Sequence, residues 1–117
     1  METETALSPA ARAFWEDYVA REVAAGHPAP RLYDTMTIGG DAASADVGAR
    51  LTLSGRKTTT SAVPSDFEGP GQRPPRPGDL SLVLDGRGDS VCIVRTVSVQ
   101  TQPFRDVDEA FAWDYGE

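Results

Sequence analysis

The sequence predicts an α+β domain in which helices flank a sheet of a few short, antiparallel strands. Three observations carry that expectation. Apolar residues recur at helical spacing near the N-terminus, two later stretches are dense in β-branched and aliphatic residues, and 11 Gly and 9 Pro divide the chain into short pieces. A length of 117 residues fits one domain. The apolar fraction of 39% points to a small core with many loops rather than a helical bundle.

Residues 1–7 show no pattern and are expected to form a disordered tail, which leaves 8–117 as the domain. Ser8-Pro9 reads as a helix start, with Ser as N-cap and Pro at the first helical position. Phe14, Trp15, Tyr18, Val19 and Val23 then fall on one stripe, expected to face the core, and Gly26 ends the helix. His27, the only histidine, follows as a loop residue with no neighbouring acid or nucleophile in view. Tyr33 to Ile38 alternates like a short strand and is stopped by Gly39-Gly40. A second helix is expected over 42–54, with Val47 and Leu51 inward, Gly48 weakening it, and Gly55 as its left-handed stop.

Residues 58–63 are rich in β-branched side chains and are expected to form a strand. The stretch 64–78 holds five prolines and three glycines, and so long a loop in a small domain points to a functional segment. A short strand is expected over 79–84, then a hairpin turn at Asp85-Gly86-Arg87-Gly88. The longest strand is expected over 90–100, with Val91, Ile93, Val97 and Val99 on one face and Cys92 and Val94 on the other. Asp106 with Glu109 three residues on resembles a capping box opening a last helix.

Composition excludes several classes. No apolar run reaches the roughly 18 residues of a membrane span, and no basic-then-apolar leader is present, so a cytoplasmic protein is expected. One Cys and one His cannot supply the usual four ligands of a structural zinc, and neither metal nor cofactor is expected. The net charge of −7 argues against a binder of extended nucleic acid. A local basic face is still available from Arg50, Arg56, Lys57, Arg73 and Arg76. The nucleophile elbow G-x-S-x-G, the phosphate loop G-x-x-x-x-G-K-[ST] and H-E-x-x-H are all absent. Gly69-Pro70-Gly71 has neither the preceding strand nor the following helix of a dinucleotide fingerprint.

Lys57 stands out because it is the only lysine beside ten arginines. Arg keeps its proton in a protein, whereas Lys can lose it when desolvated or set near other positive charge. A lysine of lowered pKa can activate the Thr60 hydroxyl or a water, and a charged one can stabilise an oxyanion. The plainer alternative is a solvated lysine after a helix-ending glycine, with Thr58 and Thr60 alternating along a strand.

The pieces Leu51-Thr52-Leu53-Ser54-Gly55-Arg56-Lys57-Thr58-Thr59-Thr60-Ser61, Pro77-Gly78-Asp79-Leu80-Ser81-Leu82-Val83-Leu84-Asp85, Val91 to Val99, and Pro103-Phe104-Arg105-Asp106-Val107 with Phe111-Ala112 occur in a characteristic order. Together they resemble the ASCH domain family of the PUA-like superfamily over about residues 10–117. The resemblance implies a small β-barrel flanked by helices, with a cleft beside the G-x-K-x-x-T turn at Gly55–Thr60. It also implies one of three activities. The first is a module binding a nucleoside, a nucleotide or a short RNA segment. The alternatives are an amidohydrolase of N4-acetylcytidine or similar acylated nucleosides, and a ribonuclease.

Carried over by motif, the catalytic set is Lys57 and Thr60 with Glu117, and the ligand-binding set is Arg56, Lys57, Thr58, Thr60 and Tyr115. Tyr115 stands where the family usually has its catalytic Glu. With an unperturbed pKa of about 10, a tyrosine is a poor base at neutral pH, so binding is favoured over hydrolysis. The closing helix and strand of the family are missing after residue 117. An open sheet edge is therefore expected, covered by a second copy in a homodimer or by a partner chain.

Overall fold

The computed structural model describes residues 7–101. The expected N-terminal tail, apart from Leu7, and the expected C-terminal helix lie outside the described residues. The order is helix α1 (Pro9–Ala24), strand β1 (Leu32–Thr37), helix α2 (Ala42–Leu53), a 3-10 turn (Pro64–Phe67), strand β2 (Leu80–Leu84) and strand β3 (Ser90–Arg95). The α+β class is as expected.

Both helix starts follow local chemistry. Ser8 Oγ accepts from Ala11 N at 3.1 Å, and Asp41 Oδ1 accepts from Ser44 N at 2.8 Å, so each cap satisfies one otherwise unpaired amide. Gly55, at φ +85°, ends α2 in the left-handed region that a side chain disfavours. The apolar stripe of α1 is less buried than its pattern suggests. Ala11 is its one fully buried residue, Trp15, Tyr18 and Val19 are half-buried, and Phe14 and Val23 are exposed. The Trp15 and Tyr18 rings pack on each other at 5.6 Å.

The sheet has the order β1-β2-β3 among the described residues, with β1 and β2 parallel and β2 and β3 antiparallel. The parallel pair corrects the antiparallel expectation. Its physical reason is α2: a helix between two adjacent strands makes a crossover connection, which returns the chain in the same direction. Each pairing has one irregularity. Leu32 faces Leu80 and Asp34 faces Ser81, so Tyr33 is the extra residue on β1. Val83 faces Cys92 and Leu84 faces Ser90, so Val91 is the extra residue on β3. Such bulges re-aim side chains, and Val91 packs toward the same cluster as Cys92 and Val94 rather than with Ile93.

The core is built on β2. Leu82 and Val83 are 0% exposed, and Val83 packs with Ile38 and Ala49, with Met36, Val91, Cys92 and Val94 around them. The face of α2 that turns inward is Ala45, Gly48 and Ala49. Val47, expected inward, is 45% exposed, and Leu51 is half-buried. Gly48 explains the difference. A Cβ placed on it would lie 2.6 Å from Ile38 Cγ2, so the helix comes close to the end of β1 through its small residues. The glycine that weakens the helix locally is the one that seats it.

Two strand expectations change. Residues 58–63 have no regular structure. Their β-branched side chains lack the flanking strand that turns such propensity into pairing, and Val63 N instead donates to Asp66 Oδ2 at 3.1 Å to open the 3-10 turn. The strand expected over 90–100 ends at Arg95, because β2 is only five residues long and a longer partner has nothing to pair with. Val97 is 80% exposed.

Gly48→Ala is expected to destabilise the fold by about 1–3 kcal/mol through overpacking, outweighing the roughly 1 kcal/mol that Ala gains in helix propensity. Urea unfolding checks this. The cost should fall in an Ile38→Ala background, because the two positions share one space.

Candidate functional site

Lys57 sits just past the end of α2. Gly55 N donates to Thr52 O at 3.1 Å, and Lys57 N donates to Leu51 O at 3.0 Å. The last carbonyls of the helix are thereby closed, and the chain is turned so that Lys57 points inward. Lys57 is 5% exposed, and with Ser81 it makes up the buried polar or charged residues among those described. The solvated-lysine alternative is thereby excluded. Around it, Arg56, Thr58 and Thr60 are exposed and Thr59 is half-buried. Lys57, Arg56, Thr58 and Thr60 thus share one short turn, of which only the lysine is sunk into the protein. Tyr115 and Glu117, the remaining members of the expected site, lie outside the described residues.

A second feature had no counterpart in the sequence pattern. An open cleft of ≈ 820 Å³ runs between the end of α1, the segment leading into β1, and the proline-rich loop. Neither Lys57 nor Thr60 lines it. The loop is tied down along this cleft by a compact set of contacts. Arg73 forks onto Asp79 with Nη1···Oδ2 and Nη2···Oδ1 both at 2.8 Å, the paired geometry that suits a guanidinium and a carboxylate. Arg73 also lies over the Tyr33 ring, 4.7 Å from its centre. The Tyr33 hydroxyl donates to the carbonyl oxygen of Arg73. Arg76 N adds a bond to Asp79 Oδ2 at 2.7 Å. Tyr33 reaches the loop from its bulge position on β1, and Asp79 sits one residue before β2, so both ends of the latch are anchored on the sheet.

At the cleft mouth, His27 Nδ1 lies 3.1 Å from Glu22 Oε1. The acid that the sequence reading did not find is therefore present, one helical turn and a glycine stop before the histidine. Pairs at such spacing across a helix end are not signalled by periodicity.

The electrostatics of the cleft divide its acids into two kinds. The fork from Arg73, with the Arg76 amide, holds the Asp79 carboxyl below the usual carboxylate range. Burial pushes Asp34 the other way, partly offset by the Ser81 hydroxyl beside it and reinforced by the charge of Asp79. Asp34 Oδ1 is sealed from solvent with no hydrogen-bond partner among the described residues. Burial also raises the Cys92 thiol, so this cysteine behaves as a small core residue rather than a nucleophile. Among the described residues no three His, Cys, Asp or Glu side chains gather as a metal site. No helix there is long and apolar enough to cross a membrane.

The resemblance implied a small β-barrel flanked by helices; the described residues form two helices and a three-stranded mixed sheet that does not close into a barrel. The sequence model of the ASCH domain matches residues 34–117. The chain therefore belongs to the ASCH domain family, within the PUA-like superfamily. A solved ASCH domain from Lactobacillus crispatus JV V101 is 26% identical, with a TM-score of 0.80 over 96% of this chain and 70% of that one. A solved protein from Enterococcus faecalis V583, assigned to the family DUF984, is 25% identical, with a TM-score of 0.77 over 90% of this chain and 67% of that one. No curated protein matches significantly.

Asp34 gives a pH prediction whose sign can be worked out. Its folded pKa is raised above its unfolded value of about 3.9, so the ionised carboxylate weighs against folding at neutral pH. That penalty disappears as pH falls through the folded pKa toward the unfolded one. Asp34→Asn is expected to be more stable than the parent at pH 7, with the gap narrowing toward pH ~4, as read by thermal melts across that range.

Proposed function

We propose that this ASCH domain is a binding module that takes a nucleoside, a nucleotide or a short RNA segment beside the Gly55–Thr60 turn. The observation that carries the reading is the burial of Lys57 at the exit of α2, 5% exposed within a turn where Arg56, Thr58 and Thr60 are exposed. Burying an ammonium group is costly unless it is compensated, so a lysine held there reflects a specific setting. Arg56, Thr58 and Thr60 then offer charge and hydroxyl groups at the rim, suited to the polar edges of a base or sugar. The acidic balance of the chain favours a ligand with few phosphates. Binding is preferred to amide hydrolysis because the family's catalytic carboxylate position is occupied by Tyr115.

Calorimetric titration with cytidine and N4-acetylcytidine tests this. Binding with little dependence on salt and no release of acetate is expected. Thr60→Ala, at an exposed position, and Lys57→Met, which keeps the apolar stem, should each weaken binding by roughly fivefold or more. Turnover of N4-acetylcytidine that is lost in both variants would replace the binding reading with the amidohydrolase. Binding unchanged in both would remove the turn from the site.

The same proposal includes a second chain. Among the described residues β1 and β3 each have a single neighbour in the sheet, and Val97 and Val99 are exposed beyond β3. Unpaired strand edges beside apolar side chains favour association. Light scattering is expected to give the mass of a homodimer, and a monomer across the working concentration range would count against it.

A further inference from the structure

We propose that the cleft beneath the proline-rich loop is a second binding site, which takes a phosphate monoester carrying a planar ring. The phosphate would lie between Arg31 and Arg95 and the ring against Tyr18 and Phe67. This site shares no residue with the Lys57 turn, and stands or falls independently of it.

The first argument is the backbone register. Leu32, Leu80 and Arg95 face one another in a row across the three strands, and Arg31 directly precedes Leu32. Two strand spacings separate the outer members of that row, about 10 Å. Arg31 and Arg95 therefore stand at the same end of the sheet, on either side of β2, and both line the cleft. Two long side chains at this separation can converge on one small anion, and guanidinium groups suit phosphate oxygens.

The second argument is charge. Four carboxylates also line the cleft, which by simple counting would repel an anion. Three of them have a polar partner, and one of those partners is a guanidinium. Asp79 is forked by Arg73. Glu22 faces His27 at 3.1 Å. Asp66 accepts from Val63 N within its own turn. Asp34 is half-buried on β1. Arg73, the third arginine of the cleft, is committed to Asp79 and to the Tyr33 ring. Arg31 and Arg95 have no ion pair with a described residue and are exposed. Two exposed guanidinium groups thus line the cleft with no ion pair to a described residue, although the chain as a whole is acidic.

The third argument is the wall chemistry. Tyr18 and Phe67 approach from α1 and from the 3-10 turn, and both are half-buried, so each ring is fixed at the cleft without being consumed by the core. Fixed aromatic side chains beside arginine suit a flat ring joined to an anion. The latch from Tyr33 and Asp79 to Arg73 holds the loop, and with it Phe67, over this surface.

The test is heteronuclear NMR titration of the full chain with cytidine monophosphate, cytidine and inorganic phosphate. Cytidine monophosphate should shift the amides of Leu32, Gly71 and Gln72. Arg31→Gln and Arg95→Gln should each weaken it by roughly tenfold, the loss typical of one charge-assisted contact. Arg87→Gln, in the β-turn away from the cleft, should leave it unchanged. Lys57→Met should leave the cleft shifts intact even if it removes shifts at 55–60, which separates this site from the one proposed above. Unchanged binding in the Arg31→Gln, Arg95→Gln double variant, with its fold checked by the amide spectrum, would overturn the proposal. So would shifts confined to 55–60. Cytidine binding the cleft as tightly as its monophosphate would overturn the phosphate's part, and inorganic phosphate binding as tightly as the nucleotide would overturn the ring's part.

Discussion

Strand β2 fixes the position of everything else in the described structure. Among the described residues it is the only strand with a neighbour on both sides, and Leu82 and Val83 are completely buried there. Its two ends are tied to different parts of the chain. At the start, Asp79 receives Arg73 and Arg76 and so determines where the proline-rich loop lies. At the finish, Gly86 N donates to Asp46 Oδ1 of α2 at 2.8 Å, and a Cβ on Gly86 would collide with the Ala42 carbonyl. The hairpin turn is therefore clamped against the beginning of α2. The end of α2 in turn sets where Lys57 enters the protein. A five-residue strand thus positions both candidate sites, one through each of its ends.

Features governed by a few adjacent residues were legible in the sequence. Ser8, Gly55 and the Asp85-Gly86-Arg87-Gly88 turn act as read, because capping and tight turns depend on local backbone and side-chain geometry. What was missed depends on contacts distant in sequence. The inward face of α2 is decided by Ile38, which leaves room only for Ala45, Gly48 and Ala49, so hydrophobicity alone named Val47 wrongly. The apolar stripe on α1 is real as a pattern, but its outer residues are exposed where no described layer covers them. Residues 58–63 have strand composition and no strand, since propensity for extended structure needs a partner edge to be realised.

The candidate sites divide in the same way. Lys57 was conspicuous because composition isolates it, and burial gives that oddity a physical meaning. Arg31 and Arg95 carry no such mark, being two of ten arginines separated by 64 positions along the chain. Only the parallel pairing of β1 with β2 and the antiparallel pairing of β2 with β3 bring them to one end of the sheet. Tyr33 was equally invisible, because its role follows from a one-residue bulge that no alternation pattern announces.

The acidity of the chain constrains both sites without excluding either. At physiological salt, charges act over about 8 Å, so an anion in a cleft responds to the groups lining it more than to the net charge of −7. That distinction makes pairing among the acids decisive. A carboxylate paired with a guanidinium contributes little field beyond the pair, whereas one bonded only to a backbone amide, like an unpaired guanidinium, keeps its charge. A ligand long enough to leave the cleft would meet the acidic remainder of the surface, and each additional phosphate would add repulsion rather than counterion release. For the two proposed sites, the short reach of their basic groups therefore sets an upper bound on the length of any anionic ligand.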